Sequence, residues 1–116
     1  MADAFQVDEL LARLEPGEHD FGLFFRSPTG SLSMTVAYWA AGSEDHQQPH
    51  TEDEVYYIVS GQGRLAMGSD DVALEPGSVA FVAAGVEHHF QDIVEDLRVL
   101  IFWSPARTGP IRQLPE

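Results

Sequence analysis

From residue 21 onward the chain is a succession of short runs rich in β-branched and aromatic residues, each closed by turn-forming residues. The runs are Phe21–Arg26, Leu32–Ala40, Glu54–Val59, Gly63–Met67, Asp71–Leu74, Ser78–Ala83, His88–Ile93 and Leu97–Trp103. Between them stand Pro28-Thr29-Gly30, Gly42-Ser43, Ser60-Gly61, Gly68-Ser69-Asp70 and Pro76-Gly77. Branched and aromatic side chains suit a pleated, half-buried surface, and glycine and proline supply the reversals between strands. Seven or eight short strands in 116 residues predict a single all-β domain over 1–116, an antiparallel sandwich or small barrel. Residues 5–15 are the one helix candidate. There Asp8 offers a cap, Leu10, Leu11 and Leu14 form an apolar stripe, and Pro16-Gly17 ends it. The tail from Ser104 to Glu116, with three prolines and a glycine, is expected to be irregular and free to lie across a partner.

Charge and missing residue types narrow the chemistry. Six basic residues against 19 acidic ones leave a net charge of −13 with neutral histidines. A surface that negative repels phosphate backbones and anionic headgroups, which argues against nucleic-acid and membrane partners. All six basic residues are arginine, so no Schiff-base or P-loop lysine exists. The chain also lacks cysteine, which excludes disulfides, thiolate ligands and thiol nucleophiles. The N-terminus carries acidic residues where a signal peptide is positive, and the longest apolar stretch, Val79 to Val86, is far short of the roughly 20 residues a bilayer needs. A cytoplasmic location is the expectation.

Four of the five histidines fall in two clusters, residues 42–61 and residues 77–92. In the first, residues 48 and 50 share a face if the segment is extended, and Glu54 opens the apolar run VYYIV. A carboxylate at the head of such a run is costly to bury unless a cation or a hydrogen-bonded histidine compensates it. In the second, Gly85 permits a sharp turn before His88 and Phe90, which share one strand face. His50, Glu54 and His88 can therefore converge inside a barrel, and two imidazoles plus one carboxylate suit zinc or non-haem iron(II). Each histidine taken singly is more often a surface or hydrogen-bonded residue than a ligand.

Together the two clusters resemble the signatures of the cupin superfamily. The first is G-x5-H-x-H-x(3,4)-E-x6-G, in which Gly42, His50, Glu54 and Gly61 match and Gln48 stands at the first histidine. The second is G-x5-P-x-G-x2-H-x3-N, in which Gly77, Gly85 and His88 match while Ala83 and Asp92 replace the proline and asparagine. The resemblance covers about residues 31–104 and implies a small double-stranded β-helix, or jelly-roll, barrel with a short N-terminal helix. It also implies one divalent ion, Fe2+, Zn2+, Mn2+ or Ni2+, held by His50, Glu54 and His88. Gln48 then ligates through its amide oxygen or bonds a metal-bound water. His46, four residues before His50, is the alternative candidate for the missing histidine's place.

Strand parity with these ligands puts Met34, Tyr38, Phe90 and Phe102 on the pocket wall or in the plain barrel core. Tyr56, two residues beyond Glu54, is the candidate general acid or substrate hydrogen-bond donor. His19, Tyr57 and His89 are expected to face outward, and Glu52, Asp53 and Glu87 to add negative potential at the barrel mouth or sit in solvated loops. The resemblance implies a small metal-dependent enzyme on a small-molecule metabolite, with dioxygenase, isomerase and lyase chemistry all represented in the superfamily. A non-catalytic ligand-binding or sensory module is the alternative, since fold does not determine function. A homodimer is implied as well, with Phe21–Arg26 as a candidate interface strand.

Overall fold

A computed structural model describes residues 3–108 and 111–114. Among the described residues one short helix, α1 (Val7–Leu11), precedes six strands: β1 (His19–Arg26), β2 (Ser33–Trp39), β3 (Asp53–Met67), β4 (Asp70–Leu74), β5 (Val79–Val82) and β6 (His88–Ser104). All pairings between them are antiparallel, in the order β1-β2-β6-β3-β4, with β5 on the remaining side of the first half of β3. The sheet curls into the expected small barrel.

Two expected turns are absent. The runs 54–59 and 63–67 are one strand, β3, and the runs 88–93 and 97–103 are one strand, β6. These two long strands pair along most of their length, and the register shifts between Ile58 and Arg64 bend them together. Gly61 explains why Ser60-Gly61 reads as a turn yet acts as a bend. Its φ is 97°, and a Cβ there would lie 2.1 Å from the Asp96 carbonyl oxygen, so two backbones meet where only glycine fits. Asp92 bends β6 at φ 49°, a conformation that Asp and Asn tolerate better than other side chains.

The interior is filled by the inward faces of β2 to β6, chiefly Trp39, Tyr56, Ile58, Leu65, Phe90, Leu97 and Ile101. A second cluster lies outside the sheet, where Leu10 of α1 and Leu114 of the tail cover Val36, with Leu100 packed against them. The helix is shorter than residues 5–15 and is not capped by Asp8. Gln6 holds the N-cap position without a side-chain cap bond, and Asp8 sits in the first turn. The tail pairs with its own chain along β1. Leu23 N–H donates to the Arg112 carbonyl at 2.8 Å, and Leu114 N–H donates to the Leu23 carbonyl at 2.9 Å. The Leu114 side chain covers Gly22, where a Cβ would lie 2.3 Å from its Cγ. Residues 109–110 and 115–116 of that tail fall outside the described residues. Among the described residues no helix is long and apolar enough to cross a membrane.

Candidate metal centre

The two histidine clusters are tied together by the backbone before any side chain is considered. Gly85 N–H donates to the His50 carbonyl at 2.8 Å, and Ala84 N–H donates to Asp53 Oδ1 at 2.9 Å. The segment before β3 is thereby held against the turn before β6. Glu54 lies on the inward face of β3 with Tyr56 and Ile58, and His88 opens β6 opposite Met67. The result is convergence. His50 Nε2 lies 3.1 Å and His88 Nε2 3.2 Å from Glu54 Oε1, with the Glu54 and His88 side chains fully enclosed.

These short distances are not hydrogen bonds in geometry: both Nε2 atoms and both Glu54 oxygens are buried without a hydrogen-bond partner. His88 shows why. Its Nδ1 lies 2.9 Å from the Val86 carbonyl, which can only accept, so Nδ1 carries a proton. A neutral His88 then turns the bare lone pair of Nε2 toward a carboxylate oxygen, which is repulsive unless a proton or a cation lies between them. An uncompensated carboxylate in this position costs several kcal/mol. One ligand atom from each of His50, Glu54 and His88 lies within 4.8 Å of the others, so a single ion can contact all three. Two imidazole nitrogens and a carboxylate oxygen fit a borderline divalent ion.

Electrostatics within the triad is mutual. Burial alone would raise the carboxyl of Glu54, but the imidazoles of His50 and His88 outweigh it and hold Glu54 below its ordinary range. Burial pulls His88 down, while Glu54 and the Val86 carbonyl outweigh it and leave its pKa raised. Tyr56 is fully enclosed, and burial together with the Glu54 charge pushes its phenol well above the ordinary value. Its hydroxyl donates to Gln47 Oε1 at 3.3 Å, and its ring packs on Phe90 at 4.9 Å.

Several expectations are corrected by placement. Met34 and Tyr38 share the outward face of β2 with Val36, and Phe102 shares the outward face of β6 with Leu100. They therefore do not wall the site; Tyr38 instead lies under the Arg98 guanidinium at 5.4 Å. The inward residues are their neighbours Trp39 and Trp103, and the Trp103 ring stands 6.1 Å from that of His50. Phe90 does face inward, against Trp39 and Tyr56. Gln48 is exposed in a segment without strand pairing and borders the same pocket as His50. His46 is exposed and pairs with Glu44 at 3.2 Å. Neither belongs to the buried cluster.

One neighbour, Gln47, escaped the sequence reading, and two of the acids named there, Asp53 and Glu52, take roles other than those expected. Gln47, next to Gln48, links Tyr56 to Asp45 by donating from Nε2 to Asp45 Oδ2 at 2.6 Å, and Asp45 in turn accepts from Phe90 N–H at 2.8 Å. Asp53 holds the Ala84 turn, as described above. Glu52 is buried, with Oε1 3.9 Å from His50 Nδ1 and 3.7 Å from Arg107 NH1, so it faces the site's second edge instead of solvent. Only a run of acids was visible in sequence, and nothing local tells which of them turns inward.

Comparison with known proteins agrees with this architecture. A cupin domain profile matches residues 34–103. An uncharacterised protein of Streptomyces coelicolor is 41% identical over 107 residues, covering 90% of this chain and 98% of its own. An acireductone dioxygenase of Bacillus cytotoxicus is 44% identical over 69 residues, which span 53% of this chain and 41% of that enzyme. Among solved structures, a protein of Thermus thermophilus superposes with a TM-score of 0.78 at 22% identity, over 91% of this chain and 100% of its own. With the barrel, the motif spacing and the profile match in agreement, the chain belongs to the cupin family.

Proposed function

We propose that this chain is a metal-dependent cupin enzyme that holds one divalent ion, Fe2+, Zn2+, Mn2+ or Ni2+, at His50, Glu54 and His88 and acts on a small-molecule metabolite. The observation that carries the proposal is the set of buried, partnerless donor atoms converging on one point. When bound, such an ion supplies Lewis-acid polarisation of a substrate oxygen, and a redox-active one also supports chemistry with dioxygen. Three protein ligands leave coordination positions open for a substrate. Within the chain, Val86 orients the His88 ring, Glu54 contributes the negative charge, and Tyr56 keeps its proton near Glu54 at neutral pH. The partial match to acireductone dioxygenase favours dioxygenase chemistry over isomerase or lyase chemistry.

A second reading, a ligand-binding or sensory module, draws on one observation. Tyr56, the expected proton donor, is enclosed and committed to Gln47. Elemental analysis followed by turnover assays separates the two. An enzyme takes up one ion per chain and loses turnover on chelation, with recovery on return of one specific ion. A sensory module shows ligand-induced thermal stabilisation without product.

The same proposal includes a cytoplasmic homodimer. The β1 edge, the expected interface, is occupied in part by the chain's own tail. The outer face of β3 and β5 is the better candidate. There Val79 and Phe81 are 67% and 58% exposed, opposite Tyr57 and Val55 in the strand register. Phe102 and Met34 continue the Phe81–Val55 row across β6 and β2. A contiguous apolar row on an otherwise strongly acidic surface is the kind of patch that two copies bury against each other.

A further inference from the structure

Two pockets border the histidines of the triad, and their linings differ in charge. One, of about 450 Å³, touches His88 and carries Glu44, Asp45, Glu87 and Asp92 with no arginine. The other, of about 440 Å³, touches His50 and carries Trp103, Arg107 and Arg112, with Asp20 as its one acid. The chain has only six basic residues against 19 acidic ones, and two of those six line this one pocket.

The two arginines are not equivalent. Arg112 is committed to Asp20, pairing NH2 with Oδ2. Burial would raise Asp20, but the Glu15 backbone N–H and Arg112 outweigh it and hold it below its ordinary value. Arg107 is held in position by its backbone: its N–H donates to Ser33 Oγ at 2.9 Å, and its carbonyl accepts from Arg26 at 2.7 Å. Its guanidinium lies over the Trp103 ring at 5.1 Å. The NH1 to Glu52 distance of 3.7 Å is well beyond the roughly 2.7–2.9 Å of a charge-assisted hydrogen bond, so Glu52 does not engage the guanidinium fork as a bidentate partner. Trp103 adds a buried Nε1–H with no acceptor. A planar, two-oxygen anion is what such a fork recognises.

We propose that the pocket between Arg107, Trp103 and His50 binds a small carboxylate, with the anion on the Arg107 guanidinium and the rest of the molecule extending toward His50. This deepens the function proposed above and rests on it only for what the far end of the ligand meets. Arg107 is then the specificity-determining residue, selecting acids over their neutral analogues.

The test is calorimetric titration of the zinc-loaded chain with pyruvate, acetoacetate and levulinate, each beside its methyl ester, and with inorganic phosphate. At least one acid is expected to bind tenfold or more tightly than its ester and than phosphate. Arg107→Gln should abolish that preference with zinc stoichiometry and ester affinity unchanged, Arg107→Lys should keep part of it, and Arg112→Gln should keep it whole. Zinc stoichiometry and a cooperative melt verify that each variant is folded. Equal binding of acid and ester, no binding of any acid, phosphate binding as tightly as the best acid, or a preference that survives Arg107→Gln overturns the inference. Acid preference in a wild-type chain that takes up no zinc supports Arg107 recognition and overturns the metal proposal instead.

Discussion

His50 and His88 stand with ring centroids 4.9 Å apart at 72°, both directing Nε2 at the same oxygen of Glu54. His50 comes from an unpaired segment and His88 from the start of a strand, so their meeting depends on the backbone bond from Gly85 to His50. The relationship makes the triad one unit, and its members should fail together.

Replacing a triad residue should remove the ion. His50→Ala and His88→Ala are each expected to lower zinc affinity by at least about 100-fold, because two remaining ligands hold a divalent ion poorly. Gln48→Ala, at an exposed position outside the buried cluster, should change it less than about threefold. Competition titration with a chromogenic chelator measures both. A Gln48→Ala loss equal to that of His50→Ala would restore the amide as a ligand.

The metal-free and metal-loaded chains should respond to pH in opposite directions. Glu54, depressed below its ordinary 4.5, contributes stability that is present above that value and lost as pH falls through its lower folded value. His88, raised above its ordinary 6.5, contributes stability that is present below 6.5 and lost as pH rises through its higher folded value. The metal-free chain should therefore melt highest between about pH 4.5 and 6.5 and weaken toward pH 8. A bound ion competes with protons for the imidazoles, so its stabilisation grows over that same rise. Melting temperatures across pH 4–8, with and without saturating zinc, should diverge above pH 6.5.

Glu54→Gln isolates the charge. It should abolish zinc binding yet raise the melting temperature of the metal-free chain at a pH high enough to strip both imidazoles of their second proton, where the buried carboxylate faces two bare lone pairs. The gain is expected to be about 1–3 kcal/mol, the scale of an unsatisfied buried polar group. A metal-free Glu54→Gln chain less stable than wild type at that pH would show that the carboxylate has a compensating partner there.

The outer apolar row predicts association. Phe81→Asp places a charge on the face that Val79, Tyr57 and Val55 share and should convert a dimer to a monomer in sedimentation equilibrium, leaving zinc stoichiometry intact. A monomeric wild type would remove the dimer from the proposal.

At Gly61 a side chain meets backbone. Gly61→Ala forces a Cβ to within 2.1 Å of the Asp96 oxygen at positive φ, and should cost about 3 kcal/mol or more in denaturant melts. Gly22→Ala meets only the end of Leu114, which can swing aside, so its cost should be nearer 1 kcal/mol.

Much of the strand content and the spacing of His50, Glu54 and His88 were legible in the sequence, because turn chemistry and alternation are local. The misplaced wall residues have one source. Val36 and Leu100 are apolar and outward because α1 and the tail cover them, so β2 and β6 carry apolar residues on both faces. Alternation then says that Met34 and Tyr38 share a face, and says nothing about which face is inside. Gln47 and Gln48 pose the same problem in an unpaired segment, where no ladder sets side-chain direction.

By itself the sequence determined a single β-rich chain, acidic and without cysteine or lysine, carrying two histidine clusters at cupin spacing. Those features need only residue identity and short-range stereochemistry. The tertiary structure alone decided that Ser60-Gly61 bends a continuous strand, that the tail closes on β1, that Glu52 turns inward and that Arg107 meets Trp103 beside His50. Each depends on which distant backbone arrives at that point, a property of the closed barrel that no local stretch of chain encodes.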